Sequence, residues 1–157
     1  MNKVSQVIFI VLVFILTLQS CKDDFFYQSK VEFENKTWSI DKNAVFSLKI
    51  DDSKSAYGIF IDVVCSENYL TNNLWLEFSI KSPQNVEQKD TIMYKISDET
   101  GRWFGKKESE IIINKFLYKN NIHFPENGNY EIKLRHLMRA EDEPVLQSVG
   151  ITVAKYE

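Results

Sequence analysis

Few side chains in this 157-residue sequence have the type and spacing that catalysis requires. A nucleophile needs a general base beside it, but the chain has two histidines, His123 and His136, and no serine in a nucleophile-elbow sequence. Glycoside hydrolysis needs two carboxylates at a set separation. The candidates by type lie in turn sequences, where acidic residues are common: Asp90, Asp98 and Glu99. The sequence therefore predicts that the protein is not an enzyme.

Phosphate and metal sites also lack their sequence signals. The glycine-rich stretch 101–105 has neither the lysine nor the helix start of a phosphate-binding loop. The two cysteines, Cys21 and Cys65, are far apart in the sequence, and no group of residues has metal-ligand spacing. We therefore predict no metal and no cofactor, and we expect Cys65 to be a small buried apolar residue.

The N-terminal segment has the three parts of a secretory signal peptide. Lys3 supplies a positive charge, residues 7–18 form an uncharged apolar run, and Ser20 is a small residue before a cleavage point. The run is shorter than the roughly 18 apolar residues that a membrane-spanning helix needs, and it has no polar face for a core helix. We predict a signal peptide at 1–20, with a retained anchor helix as the alternative.

The residues before Cys21 determine the type of signal peptide. Leu18, Ser20 and Cys21 form a pattern that resembles the bacterial lipobox, although Gln19 departs from the small or β-branched residue usual at its position. The resemblance implies that Cys21 becomes the mature N-terminus and carries a diacylglyceryl thioether and an N-acyl chain. Each buried methylene contributes about 0.8 kcal/mol, so three chains anchor a protein to a membrane permanently. A cysteine that merely follows the signal is the alternative.

Three charged residues follow the cysteine directly. Lys22, Asp23 and Asp24 resemble the export signal of surface-displayed lipoproteins in the Bacteroidetes, a lysine followed by two acidic residues. That resemblance implies sorting to the cell surface, whereas a plain charged leader would leave the protein on the periplasmic leaflet. We expect a lipid-anchored protein of the cell envelope, at the outer membrane, and favour the surface.

Composition limits the domain count and the partners. Removal of residues 1–20 leaves 137 residues, enough for one domain with a core. This mature chain has 18 basic and 22 acidic residues, since the removed segment holds one lysine. It has no basic stripe, so nucleic acid is not an expected partner. We assign 21–36 to a lipidated tether and 37–157 to a single domain.

Apolar residues recur at every second position through most of the chain. This period of two is typical of strands with one buried face and one wet face. It runs through 46–50, 57–65, 74–80, 92–96, 130–134 and 149–153. These six runs and other short stretches, at least seven strands in all, predict an all-β fold, an antiparallel two-sheet β-sandwich that is immunoglobulin-like or jelly-roll-like. Segments 107–117 and 136–143 have weak helical potential, but the β-branched residues 111–113 also suit a strand.

Loop residues provide the candidates for recognition. Arg102 and Trp103 lie between two glycines in a predicted connection, and arginine and large aromatic residues commonly anchor interfaces. We favour Trp103 as a cover over the end of the sandwich and Arg102 as an interface residue. Arg139 is expected to be exposed after a strand, and Tyr69 lies in a polar loop that would line a rim with the others. These four are the predicted interaction residues.

Several short motifs occur in an order that is similar to that of a known family. The motifs are Tyr69 and residues 73–76, 90–94, 101–105, 118–119, 124–130, 137–139 and 149–151. Behind a lipobox, they together resemble the gliding-motility lipoprotein family GldH of the Bacteroidetes over residues 22–157. Two details depart from the family's pattern. Residues 63–65 are apolar where the family's second strand becomes polar, and Asp98-Glu99 replaces Asp-Pro.

The resemblance implies a non-enzymatic lipoprotein required for gliding motility, working with other gliding-motility or type IX secretion envelope proteins. We expect it to act as a scaffold, because a membrane anchor raises its effective concentration near partners on the same membrane. A surface module that binds glycans or another nutrient is the alternative, and a secreted inhibitor is a weaker one. Exposed aromatic residues along one concave face would favour the glycan module, and a protein-sized apolar patch would favour the scaffold.

Overall fold

The computed structural model describes residues 25–139, 142–143 and 145–156. Its elements are strands and one short 3₁₀ turn, Glu34–Lys36. The first six strands are β1 (Tyr27–Glu32), β2 (Trp38–Ser39), β3 (Ala44–Ile50), β4 (Ala56–Ser66), β5 (Asn73–Lys81) and β6 (Glu87–Lys95). The others are β7 (Lys106–Glu108), β8 (Ile111–Ile122), β9 (Gly128–His136), β10 (Asp142–Glu143) and β11 (Leu146–Tyr156). The predicted signal peptide, Cys21 and the triplet 22–24 lie outside the described residues.

Two antiparallel sheets form the fold. Sheet I has the strand order β1-β11-β4-β8-β7, and sheet II has the order β3-β9-β5-β6. β10 and β2 form a third, two-stranded sheet. Side chains from both large sheets fill one hydrophobic core. The predicted all-β fold, an antiparallel two-sheet sandwich, is confirmed.

The alternating sequence pattern explains which side chains fill the core. β3 alternates strictly between buried and exposed residues along its whole length. The odd-numbered residues of β4 from Tyr57 to Cys65 are buried, and β11 adds Val149, Ile151 and Val153. Successive side chains of a strand point to opposite faces, so each alternating run buries one row. Full burial of one such large apolar side chain contributes about 1.5–3 kcal/mol.

The folded domain begins earlier than the sequence indicated. We assigned 21–36 to a tether, but Tyr27–Glu32 form β1 at the edge of sheet I, paired along their whole length with β11. Tyr27 and Val31 pack against the core, while Gln28 is exposed. The polar residues that suggested a leader are therefore the wet face of an edge strand.

In the part of the chain that the structure describes, the segments with helical potential form strands and short connections, not helices. Most of the first lies in β8, whose isoleucines 111–113 pair with the end of β4. The second starts at His136, the last residue of β9, and reaches β10. Within the described ranges, no helix has the length and hydrophobicity to cross a membrane.

The antiparallel order places the connections at two opposite ends of the sandwich. At the entry end, the chain enters β1 at Tyr27, β11 finishes at Tyr156 and β4 starts at Ala56. At the far end, β4 leads through loop 67–72 into β5, and β6 and β9 finish beside the start of β5. β4 has 11 residues, which at about 3.3 Å per residue separate the two ends by roughly 35 Å.

Within the described chain, β6 is an open edge of sheet II. Asp90 on this strand faces Phe78 of β5, so its side chain lies on the core side of the sheet. Asp90 Oδ2 accepts a hydrogen bond from the Tyr118 hydroxyl at 3.3 Å and lies 3.6 Å from Lys119 Nζ. An inward-pointing charge on an edge strand opposes the addition of another strand.

Candidate interaction surface

A carboxylate orders the loop between β6 and β7. Asp98 Oδ1 accepts hydrogen bonds from the backbone N–H groups of Thr100 and Arg102 at 3.0 and 2.9 Å, and from the Thr100 hydroxyl at 2.7 Å. Asp98 Oδ2 accepts one from Arg102 Nε at 3.1 Å. These bonds, led by that from the Thr100 hydroxyl, lower the pKa of Asp98 to about 2. Gly101 has φ of 82°, in the left-handed region that favours glycine.

The three residues after Gly101 have different surroundings. Arg102 is exposed, while Trp103 is half-buried and packs against the core. The N–H of Phe104 donates to the Ile96 carbonyl at 2.9 Å, but the Phe104 side chain is exposed. Trp103 therefore covers the end of the sandwich, as we favoured from the sequence. Phe104 is an exposed ring that its sequence context did not reveal.

Tyr69 does not offer the accessible ring that we expected. Its side chain is 5% exposed, and its hydroxyl donates to the Asn73 carbonyl at 3.1 Å. The hydroxyl of Thr71 donates to the same carbonyl at 2.8 Å. The Tyr69 ring therefore packs in the core and secures loop 67–72 to the start of β5. The next residue, Leu70, is 93% exposed and is accessible to a partner.

The segment after β9 brings Arg139 to the same end of the molecule. The N–H of Leu137 donates to the Trp75 carbonyl at 2.8 Å, and the N–H of Trp75 donates to Met138 Sδ at 3.3 Å. Met138 is buried and Arg139 is exposed. Arg139 thus lies beside the start of β5, exposed as predicted.

Two exposed apolar side chains face each other across β5 and β6. Trp75 and Met93 are register partners, and they are 42% and 41% exposed. They lie on the outer face of sheet II, since Leu74 and Leu76 on either side of Trp75 point into the core. The alternating pattern already places both residues on a wet face, but their proximity follows from the strand register.

The loops of Leu70 and Phe104 meet beside this pair. The N–H of Ile96 donates to the Asn72 carbonyl at 2.9 Å and so joins the two loops. A cleft of about 500 Å³ between them includes Tyr69 and Trp103 in its walls. We define the far corner as the exposed apolar residues and arginines at this end: Leu70, Trp75, Met93, Phe104, Arg102 and Arg139. Aromatic, methionine and arginine side chains are enriched at protein interfaces.

Cys65 lies apart from this surface, in the core. Its Sγ is 3.9 Å from the Asn114 side-chain nitrogen, and burial raises the pKa of the Cys65 thiol to about 11. The prediction of a small buried residue is confirmed. In the part of the chain that the structure describes, no group of three or more His, Cys, Asp or Glu side chains is placed to hold a metal ion.

Comparison with known proteins identifies the family. The sequence profile described as GldH lipoprotein matches residues 25–153, which include the whole far corner. The chain belongs to the GldH lipoprotein family. It is 31% identical over 148 residues to the "Gliding motility lipoprotein GldH homolog" of Christiangramia forsetii, covering 92% of this chain and 90% of the relative. It is 28% identical over 102 residues to the "Gliding motility lipoprotein GldH" of Flavobacterium johnsoniae, covering 65% and 63%.

Similarities to solved structures are weaker. A family GH115 4-O-methyl-α-glucuronidase aligns with a TM-score of 0.40 and 11% identity, over 83% of this chain and 14% of that chain. The VP2 subviral particle of infectious bursal disease virus aligns with a TM-score of 0.32 and 11% identity, over 80% and 30%. Neither similarity bears on function. GldH membership itself implies a lipid-anchored envelope location and a link to gliding motility.

Proposed function

We propose that the chain is a non-enzymatic outer-membrane lipoprotein, required for gliding motility, that acts as a membrane-tethered scaffold for other gliding or type IX secretion proteins. The GldH family supports its lipoprotein character and its link to gliding. The proposal adds the molecular role and assigns the lipid to Cys21. The partner is a protein of the cell envelope that binds the far corner.

The far corner is the observation that supports a scaffold. Its exposed apolar side chains lie at the end of the sandwich opposite the chain entry, roughly 35 Å along the strands. Trp75 and Met93 are neighbours across β5 and β6, and exposed apolar groups that cluster on a protein surface mark binding sites. Trp75 and the two arginines are of the types that dominate binding energies at protein interfaces. An anchored domain with such an end presents it to partners on or near the same membrane.

The glycan-binding alternative has less support. A glycan module would line exposed aromatic rings along one concave face. Trp103 instead packs half-buried against the core, Trp75 lies on the outer face of a sheet, and Phe104 lies in a loop. Apolar side chains flanked by Arg102 and Arg139 suit a protein surface better than a sugar.

Complementation of a deletion strain tests the scaffold. Colony spreading, single-cell movement and protein secretion are measured with wild type, with Cys21→Ala, and with Leu70→Glu combined with Trp75→Glu. We expect wild type to restore movement and both variants to fail. The Cys21→Ala protein should be absent from the membrane fraction, because it lacks the lipid. The double variant should remain in the membrane fraction, because the new charges in the far corner block partner binding and do not affect the lipid anchor.

Val45→Glu is the matched control. Val45 is 44% exposed, close to the value for Trp75, and it lies on the outer face of sheet II at the opposite edge, on β3. Its substitution should leave movement intact. Normal gliding of the Leu70/Trp75 variant, or equal loss with Val45→Glu, would contradict the role of the far corner. Normal movement and secretion in the deletion strain would contradict the motility function itself.

The triplet after Cys21 has a separate test. We propose that Lys22, Asp23 and Asp24 direct the lipoprotein to the cell surface. Replacement of all three by alanine should protect the domain from protease added to intact cells. Equal digestion of wild type and variant would show that the triplet is an ordinary charged leader.

A further inference from the structure

The outer face of sheet I carries a group of apolar side chains. Two apolar pairs point outward on β4 and β8, Phe60 with Leu117 and Val64 with Ile113. Leu117 is 50% exposed. One ion pair lies between the two apolar pairs, with Asp62 Oδ1 and Lys115 Nζ 3.2 Å apart.

Phe25, the first described residue, lies on this same face. Its ring centroid is 4.4 Å from Lys115 Nζ. That nitrogen also lies 3.2 Å from Thr152 Oγ1, and the Thr152 hydroxyl donates to Asp62 Oδ2. Lys115, Asp62 and Thr152 project outward from three neighbouring strands, β8, β4 and β11. Phe25, two residues before β1, therefore packs on the outer face of sheet I.

The next residue holds the entering segment at the end of the sandwich. The Phe26 ring packs edge-to-face on Tyr57, with centroids 5.4 Å apart. Such an aromatic pair is worth about 0.5–1.5 kcal/mol beyond its buried area, and the cation–π contact of Phe25 about 0.5–1 kcal/mol. Both aromatic residues before β1 therefore pack against the domain.

The number of residues between Cys21 and Phe25 limits how far the domain can lie from a membrane that holds Cys21. Cys21 precedes Phe25 by four residues, which span at most about 14 Å when fully extended. A lipid on Cys21 therefore keeps the outer face of sheet I close to the lipid headgroups.

We propose that the outer face of sheet I rests against the membrane leaflet, with Phe25, Phe60 and Leu117 in the headgroup region. This inference rests on the lipid anchor at Cys21 in the proposed function. Apolar side chains gain free energy when they enter the boundary between headgroups and acyl chains. The outer face of sheet II, with the far corner, then points away from the bilayer toward envelope proteins.

Spin-label accessibility of the full lipidated protein tests this orientation. A nitroxide is attached to the Leu117→Cys variant and, as the matched control, to the Val45→Cys variant. Leu117 and Val45 are apolar, similarly exposed, and on the outer faces of different sheets. Cys65 stays unlabelled because it is buried. The proteins are reconstituted in vesicles of phosphatidylethanolamine and phosphatidylglycerol. Power saturation with oxygen and with a water-soluble nickel chelate then reports lipid and water contact.

We expect the ratio of oxygen to nickel accessibility to be severalfold higher at residue 117 than at residue 45. A label at Gln28→Cys, on the exposed side of β1 in the same sheet, should also give a higher ratio than residue 45. This third site tests whether the effect at residue 117 is confined to β8. Equal ratios at 117 and 45 in protein that still floats with the vesicles would overturn the orientation and leave the anchor intact. Protein that fails to float would overturn the Cys21 anchor and this inference with it.

Discussion

The outer faces of the two sheets arise from the same alternating strand pattern, yet they carry different side chains. Ion pairs cover much of sheet II: Glu131 with Lys133, Glu77 with Arg135, and Glu87 with Lys89. On β4 and β8 of sheet I, two apolar pairs and the Phe25 ring surround one ion pair. Both sheets share the core, so these differences concern the outer faces alone.

The charged face contributes little to folding. Exposed ion pairs are typically worth about 0–1 kcal/mol, and salt weakens them further. The apolar side chains on the outer faces are half-buried or exposed, so they too contribute less than core residues. Substitutions on either outer face should therefore change binding more than stability, whereas substitutions in the shared core should change stability first.

The largest expected effect is a difference in the free energy of unfolding between substitutions on the two sides of β5. Phe78 is 1% exposed and packs on Tyr118 of sheet I, with centroids 4.1 Å apart. Phe78→Ala should lower the free energy of unfolding by about 3–5 kcal/mol, because it leaves a cavity between the sheets. Trp75→Ala, on the outer side of the same strand, should cost about 0.5 kcal/mol. Urea denaturation measures both, and equal losses would contradict the division between core and outer face.

A smaller effect compares one ion pair from each outer face. Asp62 accepts a hydrogen bond from the Thr152 hydroxyl and forms an ion pair with Lys115. Its side chain is 25% exposed, whereas the Glu131 side chain is 42% exposed. Asp62→Asn should cost about 1 kcal/mol and Glu131→Gln less than about 0.5 kcal/mol. The NMR signals of the Phe25 ring, which lies over Lys115, should shift in the Asp62 variant alone. Equal shifts in both variants would show that Asp62 does not position Lys115 under this ring.

The smallest effect concerns the far corner at low pH. The folded pKa of Asp98, about 2, lies below its ordinary value of 3.8. The hydrogen bonds of the ionised Asp98 carboxylate therefore stabilise the loop fully above about pH 4, and this stabilisation is lost as the pH falls through about 2. A carboxyl titration by NMR should show a midpoint near 2 in the folded protein and near 3.8 in urea. A midpoint near 3.8 in the folded state would contradict the hydrogen-bonded loop.

The sandwich was predictable because its strands bury one row of side chains each. The alternation in β3, β4 and β5 is strict enough to set both the fold and the direction of each side chain. β1 was missed because it lies at an edge, where Gln28 and Lys30 face water and short polar stretches resemble a tether. Edge strands bury fewer residues, so their pattern is weaker.

The far corner was only partly predictable from the sequence. Arg102 and Arg139 were found from residue type and loop position, and both are exposed. Tyr69 was expected at a rim, but its hydroxyl bonds the Asn73 carbonyl and its ring is buried. The exposure of Phe104 depends on the path of its loop, which the bonds to Asp98 order. Side-chain type alone does not specify a loop path.

Asp90 has a consequence for crowding on the membrane. A lipid-anchored protein diffuses in two dimensions, where copies on one leaflet meet often and in similar orientations. An uncharged open edge at β6 would allow one copy to join the sheet of its neighbour. The Asp90 carboxylate, held on the core side by Tyr118 and Lys119, makes that joining unfavourable because the charge would lose water. The β6 edge therefore disfavours strand pairing between neighbouring copies.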